Sequence, residues 1–126
     1  MTIDFEKSGG LVPAIIQDAT TNNVLMLGYM NEEAYERTLA TGKVTFWSRS
    51  RKTLWTKGET SGNYLNLVSI SVDCDNDTLL VKVHPEGPVC HKGTDTCWSE
   101  ENNFNPLLFL SELQDFIEKR HEEMPE

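Results

Sequence analysis

YLNLVSISVDCDNDTLLVKVH, residues 64–84, decides the fold. Its two halves, 64–74 and 78–84, are rich in β-branched and apolar residues and read as long strands. Asp-Asn-Asp at their connection favours a turn, so the strands pair with each other. The same stretch places carboxylates at Asp73, Asp75 and Asp77, with Cys74 and Asn76 between them. Acidic residues at the first, third and fifth positions resemble the start of an EF-hand loop, which needs Gly at position six and Glu at position twelve. Thr78 and His84 stand there instead, and the residues between are strand-like. On a strand or its extended end alternate side chains share a face, so the three aspartates are expected on one side and Cys74 on the other. Three carboxylates so close repel unless a cation joins them, which suits a magnesium-type site. A solvated acidic turn is the plain alternative.

Working outward, LVPAIIQ (11–17) and NVLMLGYM (23–30) read as strands around a Thr-Asn-Asn turn, with Pro13 favouring an edge position. Asn31 is placed to cap a helix whose first turn carries Glu32 and Glu33, and Gly42 follows its end. KVTFWS (43–48) and TLWTK (53–57) form a further strand pair joined by the basic turn 49–52. Residues 85–103 are a loop rich in Pro, Gly and Asn. Asn105-Pro106 then opens a last helix, on which Phe109, Leu110, Leu113, Phe116 and Ile117 keep helical spacing. The expectation is α+β: one domain over residues 1–126, with a small, mainly antiparallel sheet and two principal helices.

Composition narrows the function. With 38% hydrophobic and 25% charged residues, the chain suits a soluble globular protein. A net charge of −9 opposes binding to nucleic acid or to an anionic membrane surface. No apolar run approaches a membrane span, and MTIDFEKSGGLVPAIIQD lacks the cationic start and apolar core of a signal peptide. The expected location is the cytoplasm. Three cysteines is an odd number for a disulfide framework, so metal ligation or free thiols are the readings left open.

Cys90 and Cys97 flank HKGTDT in a polar, Gly-containing loop, a poor place for a buried hydrophobe. Together with Cys74 they would make a three-thiolate zinc site with an open fourth position, the catalytic arrangement. His91 would fill that position or serve as a base. HPE (84–86) followed by PVC (88–90) echoes the zinc deaminase signature, but no CxxC follows, and Pro85 and Pro88 oppose the helices that motif occupies. A second constellation is SRSRKTLWTKGETSGN, residues 48–63. It concentrates Arg49, Arg51, Lys52 and Lys57, and its KGETSGN segment, with Thr60 and Ser61, offers hydroxyls and backbone amides to a phosphate. A cationic hairpin with a flexible turn is the alternative. Trp47 and Trp55 would stack on a base or pack in the core.

Taken together, VLMLGYMNEEAY, TGKVTFWSRSRKTLWTKGETSGN, VDCDND and CHKGTDTCW, in that order over roughly residues 11–98, resemble the phosphoribosyl-AMP cyclohydrolase family of histidine biosynthesis. The resemblance implies an intertwined homodimer using zinc and magnesium. Its reaction is hydrolytic opening of the adenine ring of phosphoribosyl-AMP at the N1–C6 bond, giving a formimino imidazole carboxamide ribonucleotide. It further implies that Cys74, Cys90 and Cys97 bind zinc, with Cys74 from the opposite subunit, and that Asp73, Asp75 and Asp77 bind magnesium. With that identity His91 is the expected proton carrier, and Arg49, Arg51, Lys57, Thr60 and Ser61 are the expected phosphate contacts. Lys92 stands in place of a threonine expected from the family pattern. Some relatives carry a fused pyrophosphohydrolase domain, for which 126 residues leave no room, so the substrate is expected from another protein.

Overall fold

Period-two burial organises the sheet. The computed structural model describes residues 2–90, 93–98 and 102. After a short 3-10 turn at Glu6–Ser8 come β1 (Val12–Asp18), β2 (Val24–Met30), α1 (Glu32–Thr41), β3 (Thr45–Ser48), β4 (Thr53–Thr56), β5 (Leu65–Val72) and β6 (Leu79–Pro85). β1 buries Val12, Ala14, Ile16 and Asp18, and β6 buries Leu79, Val81 and Val83, so each turns one face to the core. The four-stranded sheet runs β2-β1-β6-β5. Its outer pairs are antiparallel, as expected, whereas β1 and β6 in the middle run parallel. The sheet is therefore mixed.

That central pairing corrects the edge position expected for Pro13. β1 lies inside the sheet, but its pairing with β6 starts only at Ala14. Pro13 pairs with Tyr29 of β2 alone, so the proline sits where the strand has a neighbour on one side only.

α1 starts and stops on the expected residues. Oδ1 of Asn31 accepts from the Ala34 amide at 2.8 Å, Glu32 and Glu33 occupy the first turn, and Gly42 ends the helix at φ 73°. Thr38, fully buried, donates its hydroxyl to the Ala34 carbonyl at 2.9 Å and accepts from the Thr45 amide at 2.9 Å, which ties α1 to β3. β3 and β4 form a separate two-stranded sheet. It joins the main body through Val44 N–H to the Leu65 carbonyl at 3.0 Å and Leu67 N–H to the Gly42 carbonyl at 2.8 Å. Phe46 of β3 is buried over Gly28 of β2, whose missing side chain leaves space for the ring.

Among the described residues, 86–98 contain no helix or strand, in line with the loop read from the sequence. The last helix, expected from residue 105, lies outside the described residues. No described helix is long and apolar enough to cross a membrane.

Candidate active site

The three aspartates gather, but not by strand alternation. Residues 73–78 form a tight turn in which Asn76 takes the left-handed conformation at φ 64°, one that asparagine tolerates better than most residues. The Asp73 amide donates to the Thr78 carbonyl at 2.9 Å, and Asp73 Oδ1 accepts from the amides of Asp77 at 2.9 Å and Thr78 at 3.1 Å. Those bonds, the Asp77 amide first, hold the Asp73 carboxyl below its usual range. One carboxylate oxygen from each of Asp73, Asp75 and Asp77 lies within 4.8 Å of the others. Oxygen donors alone, three anionic and all at the surface or close to it, match a hard dication such as magnesium.

Two of the cysteines are brought together by loop closure. The Val89 and Cys90 amides donate to the carbonyls of Asp95 at 3.2 Å and Thr94 at 3.1 Å, and Gly93 turns the chain at φ 88°. The Cys97 amide donates to the Leu25 carbonyl at 2.8 Å, which pins the returning arm to β2. Cys97 is exposed as a residue, yet the protein atoms around its sulfur and then the Cys90 thiol beside it push its thiol above the ordinary value. The Lys57 ammonium pulls the other way. Two neighbouring thiols suit a zinc-type dication, which would stabilise both as thiolates. Cys74, on the β5–β6 turn, is not in that group. Among the described residues the only three His, Cys, Asp or Glu side chains close enough to share one ion are Asp73, Asp75 and Asp77.

Beside the Cys90 arm opens a cleft of about 440 Å³, walled by Arg51, Lys57, Thr60, Ser61 and Cys90. The 57–63 loop is folded tightly. Gly58, at φ 93°, leaves no room for a Cβ against the Asn63 backbone, and the Gly62 amide closes on the Gly58 carbonyl at 2.7 Å. Trp55 serves two purposes: its ring packs 5.2 Å from that of Phe46 and also lines the cleft, with Lys57 Nζ 5.8 Å from its centroid. Arg49 is not part of that wall. Its guanidinium lies 4.4 Å over the Tyr29 ring. His91 and Lys92 fall outside the described residues.

Sequence reading passed over two residues here. Asn63 lines the cleft and donates from Nδ2 to the Pro88 carbonyl at 3.3 Å, locking the phosphate-type loop to the cysteine loop. Lys7 reaches the aspartate turn across 68 residues of chain. Neither has a local signal, because each acts through a contact between distant segments. A second cleft, of about 350 Å³, is lined by Asp18, His84, Glu86 and Asp95. There Asp18 is already engaged by the Thr20 and Thr21 amides and by Asn102.

The sequence model of the phosphoribosyl-AMP cyclohydrolase family matches residues 26–99. The chain is 66% identical over 126 residues to the histidine biosynthesis bifunctional protein HisIE of Bacteroides thetaiotaomicron, covering 100% of this chain and 62% of that protein. It is 57% identical over 129 residues to the HisIE protein of Photobacterium profundum, covering 99% and 62%. To that of Escherichia coli K12 it is 55% identical over 124 residues, covering 98% and 60%. The chain thus spans about three-fifths of the length of the curated relatives it matches.

Proposed function

The chain belongs to the phosphoribosyl-AMP cyclohydrolase family, and from that premise we propose that it opens the adenine ring of phosphoribosyl-AMP by hydrolysis of the N1–C6 bond. The observation that carries the reading is the shared cleft, which Arg51, Lys57, Thr60 and Ser61 line together with Cys90. The substrate is a bis-phosphate with a purine ring. In this reading Arg51, Lys57, Thr60 and Ser61 hold one phosphate, and Arg49, outside that wall, adds longer-range attraction for the anion. A net charge of −9 makes such local cations necessary for any anionic ligand to dock.

Cys90 and Cys97 are the chain's own zinc ligands in this proposal, and Asp73, Asp75 and Asp77 hold magnesium. Zinc held there would supply the Lewis acidity that brings the pKa of water down to about 7. Water would add to C6 with His91, next in sequence to Cys90, taking its proton; the C6–N1 bond then breaks, N1 leaves carrying a proton, and the ring opens. The third thiol comes from Cys74 of a second copy. Support for this is the separation of Cys74 from the Cys90–Cys97 pair within one chain. Exposed apolar residues on both edge strands, Val24 and Leu27 on β2 and Val68 on β5, are also consistent with a covering partner. The product is the formimino imidazole carboxamide ribonucleotide, and the enzyme works in the cytoplasm.

The test is incubation of the zinc- and magnesium-loaded chain with phosphoribosyl-AMP. Absorbance reports ring opening, and ammonia is assayed alongside. The expected result is turnover without ammonia, lost on chelation and restored by zinc. Ammonia release would assign a deaminase instead, and a zinc-replete chain without turnover would overturn the proposal.

A further inference from the structure

The carboxylate turn already holds a cation, and that cation belongs to the chain itself. Lys7 Nζ lies 3.4 Å from Asp75 Oδ2 and 3.2 Å from Asp77 Oδ2, and donates to the Asp75 carbonyl at 3.3 Å. The segment bearing it is fastened to the same turn, because the Asp4 amide donates to the Asn76 carbonyl at 2.7 Å. Within the segment, the Lys7 amide donates to Asp4 Oδ1 at 3.0 Å and the Gly10 amide to the Phe5 carbonyl at 2.7 Å. The Phe5 ring packs 6.2 Å from that of Tyr35 on α1. The lysine is thus delivered to the carboxylates by an anchored turn rather than by a loose tail.

An ammonium and a divalent ion make incompatible demands on these oxygens. The ammonium donates hydrogen bonds at about 3 Å, whereas magnesium takes oxygens at about 2.0–2.1 Å in near-octahedral array. Both draw on the same carboxylates of Asp75 and Asp77. We propose that Lys7 is a tethered competitor at this site, occupying the Asp73–Asp75–Asp77 turn until a divalent cation displaces its ammonium. The proposal deepens the assignment of the turn to magnesium and rests on it. Without metal, the lysine offsets the mutual repulsion of the three carboxylates and keeps the turn assembled. The apparent metal affinity is correspondingly lower, by the fraction of molecules in which the ammonium is seated.

The experiment uses the whole chain and magnesium as the probe. Magnesium affinity is measured by calorimetry for the unaltered protein and for Lys7→Met, Lys7→Arg and Asp75→Asn. In parallel, lysines are acylated with an amine-reactive ester with and without saturating magnesium, and Lys7 modification is read by mass spectrometry. Lys7→Met is expected to bind magnesium roughly fivefold more tightly, while Lys7→Arg stays within about twofold of the unaltered protein. Acylation of Lys7 is expected to rise when magnesium is present. Equal or weaker affinity in Lys7→Met overturns the proposal, as does Lys7 acylation that ignores saturating magnesium. Failure of the underlying assignment looks different: no magnesium binding in any variant, or an Asp75→Asn affinity equal to that of the unaltered protein.

Discussion

A Cβ on Gly87 would lie 2.5 Å from Oδ1 and 2.8 Å from Cγ of Asn63, the residue whose Nδ2 donates to the Pro88 carbonyl. Gly87→Ala therefore forces Asn63 aside and loosens the joint between the 57–63 loop and the loop leading to Cys90. The obstacle is the end of a flexible side chain that can swing away. The expected cost is therefore that of the lost hydrogen bond, about 1 kcal/mol or less in denaturant unfolding. Asn63→Ala removes the obstacle, so the double variant should be less destabilised than the two separate losses summed. At the proposed metal sites, the carboxylate and thiol ligands belong to separate sets. Cys97→Ser should strip zinc and nearly all turnover, because a hydroxyl is a far poorer zinc ligand than a thiolate. Asp75→Asn should weaken magnesium and leave zinc content intact, as metal analysis of both variants would record. The clustering of Asp73, Asp75 and Asp77 was legible because turn chemistry is local. The expected route to it, alternation along a strand, is replaced by the left-handed Asn76 and the amides bonded to Asp73. Lys7 and Asn63 were not legible, since the contacts that give them meaning join segments far apart in the chain.

At the scale of elements, β2 and β3 meet through the absence of a side chain. An ideal Cβ on Gly28 would lie 2.5 Å from Cδ1 and 3.0 Å from Cζ of Phe46, a residue 1% exposed. A buried ring flanked by Trp55 has little freedom to retreat, so Gly28→Ala should cost about 1–3 kcal/mol, measured by the shift in urea midpoint. The β3–β4 hairpin carries the 57–63 loop, so the same variant should also weaken substrate retention, raising KM more than it lowers kcat. Each strand and the caps of α1 were readable, because alternation, Asn31 and Gly42 act within a few residues. The parallel pairing of β1 with β6 was not. It joins strands separated by some sixty residues, and nothing in either strand's own pattern selects its partner or its direction. Pro13 was misplaced for that reason alone.

At the scale of the whole molecule, one chain holds only part of the zinc site that its family membership leads us to propose. Cys74 is exposed on the β5–β6 turn, apart from the thiols of Cys90 and Cys97, and two-fold pairing of identical chains would supply the missing ligand twice. Cys74→Ser and Cys97→Ser should each be inactive as pure proteins, for every site in either homodimer lacks one thiolate. Mixed by joint unfolding and refolding, they should recover. In a mixed dimer one site collects both defects. The other takes an intact Cys74 from the Cys97→Ser chain and intact Cys90 and Cys97 from the Cys74→Ser chain. Random pairing makes about half of the dimers mixed, each with one good site of two, so activity should return to roughly a quarter of the unaltered level. Zinc content should recover with it, and tagged chains would verify that mixed dimers have formed. If all three thiols served one site within one chain, no pairing of these variants would repair any site. A mixture that stays inactive despite proven mixed dimers excludes the shared centre.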